Sequence, residues 1–310
     1  MGSQHQGAHQ DLLIIGPGVL GSFLGTLWVH DFGTGTVCGQ TKTETNHEKL
    51  KRLGIHPMCT SIGTAPGTAA QEGHRKKFAN VVYCAPPSGS DDYVADIQTA
   101  LDTLWDGTGN FVFTSSAGVY NIDDGSECDE SAPTVPLGKE RRTDVLLLAE
   151  QAVLNAGGCV VRLVGLYHRN RGPHTFFLKQ GEVPRWGGAV VNLIHYEDAA
   201  RLVFAVAKGQ GSSDNEKRYR SRVFLGCDGV PVTFSDMMQA IEASGQLPGK
   251  VTFTGEEGPS KGKKMSNNLT RQQLGWEPVY GTGIQGFFAN GGEDWYSKNA
   301  DLVPGAMPHQ

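Results

Sequence analysis

Residues Asp11 to Gly25, DLLIIGPGVLGSFLG, constrain the fold of this chain more than any other stretch. Leu12 to Ile15 are consecutive apolar residues, and a run without polar alternation needs cover on both faces, as an interior strand of a parallel sheet has. The run ends in Gly16, Gly18 and Gly21, spaced G-x-G-x-x-G, and the apolar residues from Val19 to Leu27 recur at helical intervals. In such a turn one glycine permits the tight bend, one lets backbone approach a pyrophosphate, and one allows helix and strand to pack closely. The helix then presents free N–H groups and the positive end of its dipole to phosphate. The stretch points to a bound nucleotide, with Gly16, Gly18, Val19, Leu20 and Gly21 around its phosphates; the alternative is a purely structural glycine turn.

The chain has 310 residues, 38% of them hydrophobic, which suits one large domain or a domain and a half. A formal net charge of −5 gives no basic stripe, so nucleic acid and anionic membrane are poor partners and a small-molecule substrate is expected. No apolar run approaches the roughly 18 residues of a membrane span. The polar start, MGSQHQGAHQ, is expected to be a flexible leader covering residues 1–10. Six cysteines are scattered, several inside apolar runs and none in C-x-x-C, as in a soluble protein of a reducing intracellular compartment. That compartment is the cytoplasm, or an organelle if a transit peptide has been removed. His47, His56 and His74 lack ligand spacing, and no metal site is expected.

Thr36 to Gly39 reads as a second strand, followed by Gln40-Thr41-Lys42-Thr43 where a dinucleotide fold reads the adenosine ribose. No acid stands there to hold the ribose hydroxyls of NAD. Thr41 and Lys42 offer a hydroxyl and a cation that favour the 2′-phosphate of NADP; the alternative is NAD, with Glu44 as the ribose partner. His47 to Leu53 predicts a short helix and Cys59 to Gly73 a surface loop. Val81 to Ala85 is a buried strand stopped by Pro86-Pro87, which places Ala85 and Pro86 beside the cofactor at the crevice of an open sheet. Asp91 to Leu104 predicts a helix with Val94, Ile97, Leu101 and Leu104 on one face.

The strand Asn110 to Thr114 delivers Thr114-Ser115-Ser116-Ala117-Gly118-Val119-Tyr120 to the same end of the sheet. Ser115 is then a cofactor neighbour, and Ser116 and Tyr120 are catalytic candidates; turn chemistry alone is the bland reading. Asn121 to Lys139 reads as an acidic loop, and Thr143 or Asp144 as the cap of a helix to Ala156. After a buried strand from Cys159 to Val164, the loop Gly165 to Gly172 is dense in groups suited to an anionic substrate, or is simply solvated. Val190 to Ile194 is apolar again. Asp198 is read as the cap of the helix Ala199 to Lys208, and His195 is more often a satisfied structural residue than a base. Gly209 to Lys217 and Gly258 to Lys264 read as loops.

Taken in order, GPGVLG, FTSSAGVY, VVRLVGLY, NLIHYEDAA and KKMSNNLTRQQLGWEP resemble the extended or atypical short-chain dehydrogenase/reductase superfamily, sugar-nucleotide epimerase-like, from Asp11 to about Phe288. The pattern is similar to plant, algal and bacterial Rossmann proteins of the NAD-dependent epimerase/dehydratase kind. The resemblance implies an α/β fold, a seven-stranded doubly wound parallel sheet with a small C-terminal substrate domain. The expected division is residues 11–166 for the NAD(P)-binding domain and 167–310 for the substrate side, with 188–228 returning to the sheet. Ser116 falls on the catalytic Ser/Thr of the superfamily, and relatives often pair into homodimers through helices such as Arg142 to Asn155.

One departure matters. The superfamily carries Tyr-x-x-x-Lys with a glutamate four residues beyond the lysine. With Glu150 as that glutamate, the tyrosine position holds Arg142 and the lysine position Leu146. A tyrosine passes a proton at neutral pH only when a nearby cation stabilises its phenolate. Leucine has no charge, and arginine stays protonated. Tyr120 is the better substitute acid or base; Tyr167, with Arg171 four residues on, is the weaker one. Arg142, Arg171, His174 and Arg185 are candidates for an anionic substrate group. Two functions follow: an NAD(P)-dependent oxidoreductase or epimerase with a non-standard proton donor, or a catalytically silent NAD(P)-binding sensor or scaffold.

Overall fold

The computed structural model describes residues 10–59, 76–212 and 218–304. Residues 1–9 of the expected leader, the Cys59 to Gly73 loop beyond Cys59, His74, and residues 213–217 of the Gly209 to Lys217 loop lie outside the described residues. The chain divides into two compact units. One comprises Met1–Ser115, Leu137–Val161 and Val203–Val223; the other comprises Ser116–Pro136, Arg162–Leu202 and Phe224–Gln310. This division is more interleaved than one at 166/167, because the segment after the serines leaves the first unit early and residues 137–161 and 203–223 return to it.

A seven-stranded sheet contains β1 (Leu12–Ile15), β2 (Val37–Thr41), β3 (His56–Cys59), β4 (Asn80–Tyr83), β5 (Phe111–Ser116), β6 (Cys159–Leu163) and β7 (Val223–Gly226). The order across the sheet is β7-β6-β5-β4-β1-β2-β3. The pairings that run from β3 through β2, β1 and β4 to β5 are all parallel. The chain steps outward from β1 to β3 and then resumes on the other side at β4. The reversal therefore lies between β1 and β4, where open sheets of this kind hold ligands at the carboxyl ends of the strands. This is the doubly wound α/β architecture that the resemblance implies.

Leu12, Leu13 and Ile14 are fully buried and Ile15 nearly so, as the missing polar alternation in β1 requires. Leu13 and Ile15 pack with Ile97 and Leu101 of α3 (Tyr93–Thr103) and with Ala149 and Val153 of α4 (Arg141–Asn155). Each such side chain contributes roughly 1.5–3 kcal/mol by leaving water. Ile14 points to the other face, toward α1 (Val19–Phe32). There Trp28 donates its Nε1–H to the Gln10 carbonyl at 2.7 Å and meets Phe204 edge to face. In α3 the Asp92 carboxylate accepts the Ala95 N–H at 3.0 Å and fixes the start of the helix.

The cap expected for α4 is different. The helix begins at Arg141 with Glu140 at its N-cap, so Thr143 and Asp144 lie inside the first turn. Thr143 donates its hydroxyl to Glu140, and Asp144 accepts the Gly138 N–H at 3.0 Å, bracing the turn before the helix.

In the second unit the acidic segment read as a loop contains a strand, Asp124–Cys128, paired in parallel with Gly262–Met265. Val190 to Ile194 is two strands rather than one. Val190–Val191 lies in a four-stranded sheet with those two segments and Val232–Thr233, whereas Leu193–His195 pairs with Gly165–Tyr167. A cluster of Phe177, Phe234, Met237, Ile241, Ile284 and Phe287 forms the core of this unit.

Candidate functional site

The turn after β1 assigns each glycine a separate steric reason. Gly16 has φ +78°, and a Cβ there would stand 2.7 Å from the Cα and N of Ala85. Its N–H bonds the Gln40 carbonyl at 3.0 Å, so the glycine sits between the ends of β2 and β4. A Cβ on Gly21 would meet Ile14 Cγ2 at 2.9 Å, the close approach of helix to strand. A Cβ on Gly18 would meet nothing nearer than the Gly16 carbonyl at 4.0 Å. No packing within the protein demands a glycine at Gly18; an approaching ligand would.

Gly18 caps α1 without a side-chain bond, and Ser22 N–H makes the first helical bond, to Gly18 O at 2.9 Å. The N–H groups of Val19, Leu20 and Gly21 therefore have no carbonyl within the helix to bond, and the first turn carries no acid. A helix start of this kind suits an anion.

Gly16, Thr41, Lys42, Ala85 and Pro86, distant in sequence, line one pocket at the β1/β4 reversal together with Gln40, Ser90 and Asp96. Thr41 Oγ1 donates to the Thr43 carbonyl at 2.8 Å and lies 2.8 Å from His47 Nε2. The Lys42 ammonium donates to the Gly89 carbonyl, linking the loops after β2 and β4. Tyr93 Oη donates to Ala85 O at 2.7 Å and fixes the second of those loops. Glu44, the alternative ribose partner, is exposed and does not line the pocket. Gln40, Ser90 and Asp96 carried no motif in the sequence; only the chain reversal at Pro86-Pro87 brings Ser90 and Asp96 in.

Ser115 turns its hydroxyl to a neighbouring helix. It is buried, and its hydroxyl donates to Glu150 Oε1 at 2.5 Å. The glutamate that marks the register of α4 is thus held by the strand carrying the serines. Arg142 is exposed at the start of α4, and Leu146 packs against the apolar core. Neither supplies a phenol or an ammonium.

In the second unit Ser116 is half-buried, and its Oγ accepts the Gly118 N–H at 3.1 Å, which leaves the hydroxyl proton to donate elsewhere. Tyr120 is enclosed. Its ring lies under the Arg162 guanidinium at 4.7 Å and its hydroxyl faces the Glu130 carbonyl at 3.4 Å. Burial pushes its pKa up to about 12 against the pull of Arg162. Tyr167 is fully buried, edge-on to His195 and Phe287, and burial raises its pKa well above the ordinary range. It too is a packing residue.

Arg171 is exposed, with Nε donating to Tyr196 Oη at 3.2 Å. Arg185 is exposed above the Phe234 ring at 4.8 Å. His174 is fully buried, its Nε2 3.1 Å from the Arg169 carbonyl, and burial lowers its pKa to about 4.

His195 has the structural role. Its Nδ1 accepts the Glu197 N–H at 3.1 Å, which puts the proton on Nε2, 3.3 Å from Asp294 Oδ2. Asp294 also accepts the N–H groups of Arg169 and Ser297. Burial works to raise its pKa, but the bonds from His195, Arg169 and Ser297 outweigh burial and hold it at about 2. Asp198 does not cap its helix. Its carboxylate accepts the N–H groups of Val279 at 2.7 Å and Tyr280 at 2.9 Å, while Glu197 takes Trp295 N–H at 2.7 Å. Among the described residues no group of three or more His, Cys, Asp or Glu could hold a metal, and no helix is long and apolar enough to cross a membrane.

No protein-family model matches the chain, and no curated protein matches it. Solved structures do match its fold. A conserved protein of unknown function from Silicibacter pomeroyi is 19% identical, with a TM-score of 0.66 over 90% of this chain and 98% of that one. MoeE5 in complex with UDP-glucuronic acid and NAD is 16% identical, with a TM-score of 0.68 over 94% of this chain and 99% of that one. UDP-glucuronic acid 4-epimerase from Bacillus cereus in complex with NAD is 14% identical, also with a TM-score of 0.68 over 94% and 99%. The chain has the fold of these proteins along nearly its whole length.

Proposed function

We propose that this chain binds a nicotinamide adenine dinucleotide through the Gly16 to Gly21 turn and the ends of β2 and β4. We further propose that it acts as an NAD(P)-dependent oxidoreductase or epimerase of the short-chain dehydrogenase type on a small polar or anionic substrate. The observation that carries the reading is the convergence of Gly16, Thr41, Lys42, Ala85 and Pro86 on one pocket at the reversal of the sheet. The absence of a packing reason for a glycine at Gly18 supports close approach of a ligand. Lys42 and the lack of an acid at the end of β2 favour NADP over NAD. The likeness to MoeE5, solved with UDP-glucuronic acid, makes a sugar nucleotide the first substrate class to try.

When bound, the nicotinamide supplies a reversible hydride acceptor. Ser116, whose hydroxyl proton is uncommitted to Gly118, would hold the substrate oxygen. Arg171 and Arg185 are exposed cations suited to an anionic group. With Arg142 and Leu146 at the superfamily's tyrosine and lysine positions, the proton would pass between Ser116 and water rather than through a phenolate.

A second reading, a silent dinucleotide-binding sensor or scaffold, is favoured by the enclosure of Tyr120 and Tyr167 and the packing of Leu146. Calorimetry with NADP and NAD, then single-turnover absorbance at the nicotinamide band with UDP-glucose and UDP-glucuronic acid, tests both. Binding with turnover that Ser116→Ala abolishes supports the enzyme. Binding without turnover on any substrate supports the sensor. No binding of either dinucleotide removes both readings.

A further inference from the structure

We infer that the acidic cleft at the end of the strands Asp124–Cys128 and Gly262–Met265 is a docking site for a basic protein segment, one that places an arginine or lysine beside an apolar side chain. The cleft lies wholly in the second unit and does not depend on the dinucleotide reading. The two strands run parallel and end together, with Cys128 paired to Met265. The chain that leaves each strand forms one bank, residues 129–133 on one side and Ser266, Asn268 and Leu269 on the other. Together they line a cleft of about 580 Å³.

The cleft carries charge of one sign. Glu127, Asp129 and Glu130 line it, and among the described residues of the lining there is no lysine, arginine or histidine. The stretch from Ile122 to Pro133 holds five acids and no base. Asp129 accepts the hydroxyl of Ser131 at 2.7 Å and its N–H at 2.9 Å, bonds that hold its carboxyl below the usual carboxylate range and keep it charged at neutral pH. Glu127 is exposed. Glu130 accepts the Thr270 N–H on Oε1 at 2.8 Å, and its Oε2 has no hydrogen-bond partner among the described residues. A carboxylate oxygen shielded from water is costly without a donor. An ammonium or guanidinium in the cleft supplies that donor and offsets the charge.

Charge alone does not describe the lining. Ile122, Pro133 and Leu269 share it, and Leu269 is 55% exposed at the start of the helix Asn268–Leu274. A leucine that faces water beside carboxylates gains from a partner that is apolar at one position and cationic at the next. Nucleic acid and anionic lipid are repelled by such a face. A bare polyamine would meet the carboxylates but leave Leu269 and Ile122 wet. A second copy of this chain would bring a net charge of −5 to an acidic face. A basic protein segment satisfies both parts of the lining.

The test is fluorescence anisotropy of the full chain with two labelled peptides, one alternating arginine with leucine and one alternating arginine with serine, and thermal melting as a check on folding. Wild type is expected to bind the arginine–leucine peptide more tightly than the other, and both more weakly as salt is raised. Glu127→Gln combined with Asp129→Asn, which keeps an acceptor for Ser131, is expected to weaken binding about three- to tenfold at unchanged melting temperature. Leu269→Ser is expected to weaken the arginine–leucine peptide about fivefold and leave the arginine–serine peptide unchanged. Glu256→Gln combined with Glu257→Gln, exposed acids of the same unit outside the cleft, should bind as wild type does. Absence of binding by wild type overturns the proposal, as does an equal loss in that control pair. Equal binding of the two peptides, with no effect of Leu269→Ser, reduces the cleft to a general attractor of cations and overturns the docking assignment. Sedimentation that finds wild type dimeric and the Glu127→Gln, Asp129→Asn variant monomeric assigns the face to a second copy and overturns it too. None of these outcomes bears on dinucleotide binding.

Discussion

Gly16 and Ala85 meet so closely that a Cβ on the glycine would stand 2.7 Å from the Ala85 backbone, whereas a Cβ on Gly18 would have no protein atom nearer than 4.0 Å. The two glycines therefore separate folding from binding. Gly16→Ala forces an alanine into φ +78° and into the strand end, and is expected to cost about 1–3 kcal/mol of stability. Gly18→Ala should leave the melting temperature within about 1 °C while weakening dinucleotide binding about tenfold or more, since its Cβ enters only the space of the ligand. Melting and calorimetry on the same preparations check the pair.

On the proposed function, Lys42 bears on the choice between NADP and NAD. Removing its ammonium in Lys42→Ala should weaken NADP about tenfold and leave NAD nearly unchanged, because only NADP carries the second phosphate. The difference should shrink as salt is raised, since Lys42 is exposed and its field is screened. Titrations of both dinucleotides at low and high salt would show it; an equal loss for both would place Lys42 elsewhere in the site.

Ser115 and Ser116, adjacent in sequence, should behave in opposite ways. Ser115→Ala leaves the buried Glu150 carboxylate without a donor that now stands at 2.5 Å, a loss of about 1–3 kcal/mol read by urea unfolding. Dinucleotide affinity per folded molecule should be unchanged. Ser116→Ala, half-buried at the strand end, should alter stability by less than about 1 kcal/mol and fall in turnover if the chain is an enzyme.

The carboxylate of Asp294 gathers His195, Arg169 and Ser297 in one buried cluster. Asp294→Ala removes the acceptor for all three and is expected to destabilise by about 3–5 kcal/mol. Asp294→Asn keeps an acceptor oxygen and should lose less. Denaturant midpoints of the two variants, ranked against wild type, would decide the order.

Asp228 imposes a pH dependence of definite sign. Burial, aided by the Asp198 charge, raises its pKa from 3.8 to about 7 against the pull of the Val230 N–H and Arg271. The native state keeps this proton up to about pH 7, while the unfolded chain releases it near 3.8, so its contribution is present at low pH and lost as pH rises through about 4 to 7. His168 and His174, whose pKa values burial lowers to about 4, act in the opposite direction over the interval below 6.5. Asp228→Asn fixes the neutral form and leaves the histidine effects in place. Relative to wild type, the variant should gain on the order of 1–3 kcal/mol between pH 5 and pH 8 in urea unfolding. A constant difference across that range would contradict the assignment.

Local chemistry along the chain was sufficient for the first strand, turn and helix of this protein. A strand without polar alternation must be covered on both sides, and three glycines at that spacing have separable steric duties, so β1, the turn and α1 follow from local chemistry. The family resemblance carried by five ordered segments implied the doubly wound sheet, and against that resemblance Arg142 and Leu146 stand where it expects a phenol and an ammonium. Tertiary structure decided what each polar residue is for. Tyr120, Tyr167 and His174 carry groups suited to chemistry, but packing encloses them and burial shifts their proton affinities away from neutral pH. Asp198, Asp294 and Glu197 bond backbone groups that in several cases lie more than 80 residues away, and Asp96 enters the pocket at the sheet reversal only because the chain turns back after β4. Periodicity and motif spacing report what neighbouring residues do to one another. A side chain's solvent exposure and its distant partner depend on contacts that no local pattern encodes.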